Sequence, residues 1–222
     1  MLIYNNLINP LCYKDSKINK KYILPILFYF FGSVILTIPI LIFIFFKIDN
    51  LYFKNIIDIL IFKFNLFTVI FLIIVFILIM VFELFFFDKE SFENNLRNIE
   101  LLLGEKNNIF LNFILCFFTG YFEEVLFRGY LYYLVLILSK SLFFGNILSI
   151  ILISLIFGFL HITQGKIGII ASSIISIIFF ISIVISNTIW YAIIFHFIFN
   201  FVELSFIFPY QKRMEKKSAH IV

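Results

Sequence analysis

Six apolar stretches separated by short polar breaks set the pattern of this chain. They run over residues 22–46, 65–87, 109–138, 142–163, 167–186 and 189–208. Each is close to the roughly 20 apolar residues a helix needs to cross a bilayer. The pattern predicts an all-α fold, a polytopic transmembrane helix bundle of about six spans. Between the last two stretches only Ser186, Asn187 and Thr188 break the run, so those helices should form an antiparallel hairpin. Two connections have character of their own. Residues 47–64 mix apolar positions with Lys54, Asp58 and Lys63, as an amphipathic helix lying along the interface would. Residues 88–108 hold most of the non-terminal charge and are expected to form a solvated loop with a short helix. No fixed-period repeat is present.

Composition agrees with this pattern. The 222 residues are 63% hydrophobic and 21% aromatic, with a mean hydropathy of +1.11. Soluble domains are about 45–50% apolar, so a water-soluble fold is excluded. The net charge of +4 is small and lies mostly on lysines at segment ends. It carries topology, not nucleic-acid binding. With six spans both termini share one side, and 12 of the 17 Lys and Arg fall there against four on the other. That bias predicts cytoplasmic termini. Cys12 and Cys116 suggest no disulfide framework. The N-terminal stretch lacks the order of a cleavable signal peptide, so the first span should act as an uncleaved anchor. The organisation expected is N-terminal membrane segments and connections over 1–108, a helix bundle bearing the chemistry over 109–208, and a polar cytoplasmic tail over 209–222.

The candidate chemistry is whatever polar groups lie inside the spans, because such groups are costly there and usually face a bundle interior or a wet cavity. The third span carries Glu123, Glu124 and Arg128, the fourth His161, and the sixth His196, Asn200 and then Glu203. Glu124 and Arg128 stand four apart with the acid first, the better order for an ion pair on one helix face. Glu123 is rotated about 100° away, a carboxylate left for other work. His196 and Asn200 share a face, as do Phe157 and His161. Each group has a plain structural reading. Glu124–Arg128 can fix helix packing, and His196 with Asn200 can be interhelical hydrogen-bond glue. The functional reading rests on three otherwise apolar spans each supplying reactive side chains.

Glu123–Arg128 reads E-E-x-x-x-R, Phe157–His161 reads F-x-x-x-H, and His196–Asn200 reads H-x-x-x-N. In that order the three motifs resemble the CPBP family of intramembrane proteases, which includes the CAAX prenyl endopeptidases and the bacterial bacteriocin-immunity (Abi) proteins. The resemblance covers about residues 120–200. The helix over 167–186 is richer in Ile and Ser than the family's version, and the chain is short beside the eukaryotic enzymes. The resemblance implies an endopeptidase in which Glu123 is the base that activates water and His161 helps hold that water. His196 and Asn200 would stabilise the oxyanion, with Glu124 and Arg128 as supporting residues. No cofactor is expected. Zinc on Glu123, His161 and His196 is the alternative, although the H-E-x-x-H arrangement is absent. The implied partners are a peptide or membrane-protein substrate and the lipid bilayer, in a bacterial plasma membrane. Two other functions compete: a bacteriocin self-immunity or membrane-partner protein that acts by binding, and a proton-coupled carrier. The carrier lacks paired inverted halves with broken helices.

Overall fold

A computed structural model describes residues 18–46, 50–86, 108–139 and 144–210. Among the described residues seven helices follow one another: α1 Ile18–Phe46, α2 Leu51–Leu60, α3 Leu66–Phe86, α4 Ile109–Leu138, α5 Gly145–Phe159, α6 Gly165–Ser186 and α7 Trp190–Tyr210. Among the described residues there is no strand. Four helices (α1, α4, α6 with its short 3₁₀ lead, and α7) are long and apolar enough to cross a membrane. The apolar run Leu66–Ile79 of α3 and the whole of α5 are shorter apolar helices at the places of the second and fourth expected spans. The helical bundle read from the pattern is therefore the architecture. The expected loop over 88–108 lies outside the described residues, apart from Asn108, which caps α4 by accepting from the Leu111 N–H.

The helices follow from composition and solvent. In lipid every backbone group must be satisfied within the segment, which leaves the helix as the local solution for these runs. Their outer faces are apolar and exposed: Ile35, Leu41 and Phe45 on α1, Ile77 and Leu78 on α3, Val184 on α6. Small and polar residues turn inward instead. Ser149 and Ser154 on α5, Ser172, Ser173, Ser176 and Ser182 on α6, and Thr119 on α4 are all buried. The inversion is expected where the solvent is hydrocarbon, because burial of apolar area between helices gives little and close approach gives more.

The α5–α6 pair depends on one glycine. A Cβ at Gly158 would stand 2.6 Å from the Ile169 carbonyl oxygen and collide with Ser173. Gly158→Ala is expected to lower stability by about 1–3 kcal/mol through overpacking, checked by thermal denaturation in detergent. An unchanged midpoint would show that the helices can separate without loss.

Two departures from straightforward α winding matter. Helix α4 is α-helical over Ile109–Glu124, takes a π turn over Val125–Leu131, and resumes as α over Tyr132–Leu138. Its first part packs on α1 and α7, its last part on α2 and α5. Helix α7 has a second π turn over Glu203–Ile207. The fourth span is also shorter than its sequence pattern of 142–163. Helix α5 stops at Phe159, and a 3₁₀ turn over Ile162–Gln164 follows His161. Fifteen residues at about 1.5 Å each fall short of a core about 30 Å thick.

The amphipathic helix expected within 47–64 is α2. Asn50 caps it by accepting from the Tyr52 N–H, while Ile56 and Ile59 are buried. Its last carbonyls, orphaned at any helix end, are taken by α7: the Ile189 N–H donates to Ile59 O at 2.8 Å and the Trp190 indole to Leu60 O at 2.7 Å. The α6–α7 turn is as short as its three residues suggest, with Asn187 in the left-handed region at φ 53°.

Candidate active site

The site is built on α4, the helix touched by most others. Glu123, Glu124 and Arg128 are buried to 1% exposure or less. Such charges must find partners or else carry a large desolvation cost. Arg128 is satisfied in several directions. Its Nη1 donates to Glu124 Oε1 at 3.0 Å and its Nη2 to Ser176 Oγ at 2.8 Å, and Ser176 donates on to Ser154 Oγ at 3.0 Å. The guanidinium also lies over the Phe157 ring, 4.5 Å from its centroid, with Phe179 and Phe180 near by. The expected i,i+4 pair is present.

Glu124 has a second partner. His196 Nδ1 lies 2.7 Å from the same Oε1. A carboxylate beside a guanidinium accepts, so Nδ1 is the donor and Nε2 is the nitrogen left for other contacts. That Nε2 lies 3.7 Å from Glu123 Oε2, too far for a direct hydrogen bond and close enough for both atoms to contact one water. The other oxygen of Glu123, Oε1, receives the hydroxyl of Tyr29 at 3.4 Å.

His161 sits at the end of α5. Its Nδ1 donates to the Phe157 carbonyl at 2.8 Å, and its ring lies against Phe157 with centroids 4.7 Å apart. The same Phe157 ring meets His196 edge-on at 6.1 Å. Phe157 is thus the common wall of both histidines and of Arg128. Glu123 lies within electrostatic reach of both histidines. Asn200 is one turn beyond His196, half-buried, and makes no side-chain hydrogen bond among the described residues.

Five of the six residues singled out from the sequence therefore share one neighbourhood: Glu123, Glu124, Arg128, His161 and His196. Asn200, one turn beyond His196, makes no hydrogen bond to them among the described residues. Among the described residues no three His, Cys, Asp or Glu side chains are placed to share a metal ion.

Sequence reasoning missed four contributors. Ser176 had a readable signal, because serines at 172, 176 and 186 recur at near-helical spacing in an otherwise Ile-rich helix, whereas its partner Ser154 on α5 had none. Thr119, one turn before Glu123, is buried with its hydroxyl unpaired among the described residues. Tyr29 had no signal in a chain with 11 tyrosines.

Fold and site together define a class: an integral membrane helix bundle with a buried acid–histidine centre contributed by several spans. Residues 105–202, which contain all three motifs, match the model of the type II CAAX prenyl endopeptidase Rce1-like family. The match supports a CAAX-type intramembrane protease in general terms. No curated protein and no solved structure matched the chain.

Proposed function

We propose that this protein is an intramembrane endopeptidase in which Glu123 activates water for attack on a peptide bond. One observation carries the reading: Glu123 is a buried carboxylate that leaves Arg128 to Glu124 and turns Oε2 toward His196 Nε2 at 3.7 Å. A water between them would give a proton to Glu123 as its oxygen attacks the carbonyl carbon. The negative charge formed on the carbonyl oxygen would be met by His196 and by the amide of Asn200, one turn on. Glu124 holds His196 in one tautomer and orientation, and Arg128 in turn holds Glu124. The proton on Glu123 then passes to the leaving nitrogen as the C–N bond breaks. His161 stands at the edge of the site, where its free Nε2 can hold the same water.

The site is proposed to open toward the cytoplasmic side. Glu123 is 14 residues past Ile109 and His196 is 14 residues before Tyr210, so both sit about 21 Å from those helix ends at ~1.5 Å per residue. Helix α5 is too short to reach as far, so the polar turn of His161, Thr163 and Gln164 ends near the level of the carboxylates. Charge bias puts that turn, with Lys166, on the cytoplasmic side.

The test is cleavage by purified protein in lipid nanodiscs of quenched peptides ending in Cys-aliphatic-aliphatic-X, with and without a prenyl group on the cysteine. Cleavage of both would separate the chemistry from lipid recognition. Cleavage of neither would leave the reading in which the protein acts by binding. The step uses only this chain's own side chains, so active protein is expected to contain much less than one zinc per chain by elemental analysis. About one zinc per chain, lost together with activity in His161→Ala, would overturn that mechanism.

A further inference from the structure

We infer that the Tyr29 hydroxyl is a positioning residue for Glu123, so that the site is completed by a helix outside the family-matched segment. The inference rests on the reading of Glu123 as the base. Tyr29 is on α1 and fully buried, far in sequence from residues 105–202. It donates to Glu123 Oε1 at 3.4 Å, whereas the opposite oxygen, Oε2, faces His196. A carboxylate on a helix can rotate about its terminal bond, which has broad preferences. Tying one oxygen fixes which oxygen, and which lone pairs, meet the water.

The contact is held in register by the way α1 lies on α4. Gly32, one turn after Tyr29, has no room for a side chain: a Cβ there would stand 2.6 Å from the Phe122 ring. Phe122 in turn meets the Tyr29 ring edge-on at 5.6 Å. Farther along, the Thr37 and Tyr121 hydroxyls are 3.1 Å apart, and the Tyr130 hydroxyl donates to Leu36 O at 2.6 Å. Ser33 donates to the Tyr29 carbonyl at 2.7 Å. Contacts at residues 29, 32, 36 and 37 lie on one face of α1, and they bracket Glu123 on α4 at 121, 122 and 130. A tyrosine serving packing alone would need only its ring. The position of its oxygen on the carboxylate gives the hydroxyl a use.

The test is Tyr29→Phe, which keeps the ring and its contacts with Phe28 and Phe122. On the quenched CAAX peptide kcat should fall about tenfold or more, the scale of one hydrogen bond to a charged group, with KM unchanged. An activity-independent measurement accompanies it. The carboxylate stretch of Glu123, isolated as the infrared difference between wild type and Glu123→Gln, should shift in Tyr29→Phe. If Tyr29→Phe fails to fold, 3-fluorotyrosine at position 29 keeps the fold and the hydroxyl, and the band should then shift with the altered donor strength. An unmoved band, or wild-type kcat in Tyr29→Phe while Glu123→Gln is inactive, overturns the assignment to Tyr29 and leaves the role of Glu123 standing. Full activity in Glu123→Gln overturns both.

Discussion

Glu123→Gln is expected to abolish peptide hydrolysis, lowering kcat by about 10³-fold, within the 10²–10⁴ range for removing a general base and equivalent to about 4 kcal/mol of barrier. Glutamine keeps the shape and a polar oxygen near the Tyr29 hydroxyl, so the fold should persist. It cannot take the proton from water. Matched membrane levels of wild type and variant are essential, because a protein that acts only by binding would retain its effect in Glu123→Gln. Glu124→Gln provides the contrast. It leaves the base in place and weakens the hold on His196 Nδ1, so its expected loss is smaller. Equal loss in both variants would mean that the two carboxylates act as one unit and that the division of roles is wrong. Initial rates in nanodiscs at saturating peptide decide between these outcomes.

Arg128→Met should give the largest fall in stability. The guanidinium is fully buried and holds Glu124, Ser176 and the face of Phe157 at once. Its removal leaves the buried carboxyl of Glu124 with His196 but without its guanidinium partner. Breaking a buried pair in this way costs about 3–5 kcal/mol. Arg128→Lys keeps the charge but not the fork that reaches carboxylate and serine together, nor the flat stacking surface. It should recover only part of the loss. The double variant Glu124→Gln, Arg128→Met should recover much of it, since the buried carboxyl is gone too. Unfolding in detergent followed by helical signal measures all three. A double variant no more stable than Arg128→Met would show that contacts with Ser176 and Phe157, not the charge of Glu124, dominate.

Much of this arrangement was legible before any coordinates. Long apolar runs leave little choice of structure in lipid, and the short break at Ser186–Thr188 fixed a hairpin. The motifs were legible because an ionisable group within a span stands out against Ile and Phe, and because i,i+4 spacing puts Glu124 beside Arg128. What was not legible depends on helices distant in sequence. Nothing in residues 22–46 marks Tyr29 above its aromatic neighbours, because its role is set by where α1 lies on α4. The link from Glu124 to His196 escaped for a similar reason: the pair is 72 residues apart, and spacing rules speak only of one helix. The end of α5 was placed too late, because His161 and the polar turn after it sit in apolar surroundings that continue the hydrophobic run.

The π turn of α4 lets one helix change neighbours halfway across the membrane. A straight α-helix keeps a single buried stripe, so its partners at one end are its partners at the other. Over Val125–Leu131 the wider winding turns through less angle per residue than an α-helix does, and the stripe is displaced around the axis. Below it, Asn112, Leu115, Thr119 and Glu123 face inward among α1 and α7. Above it the helix leans on α2 and α5, and Tyr52 of α2 donates to the Tyr130 carbonyl at 2.9 Å within the turn itself. The motif E-E-x-x-x-R straddles this junction, with both acids before the change of winding and the arginine inside it. Its spacing therefore encodes a switch in the helix's companions as well as an ion pair, and the guanidinium is the point where the two sets of companions are tied together.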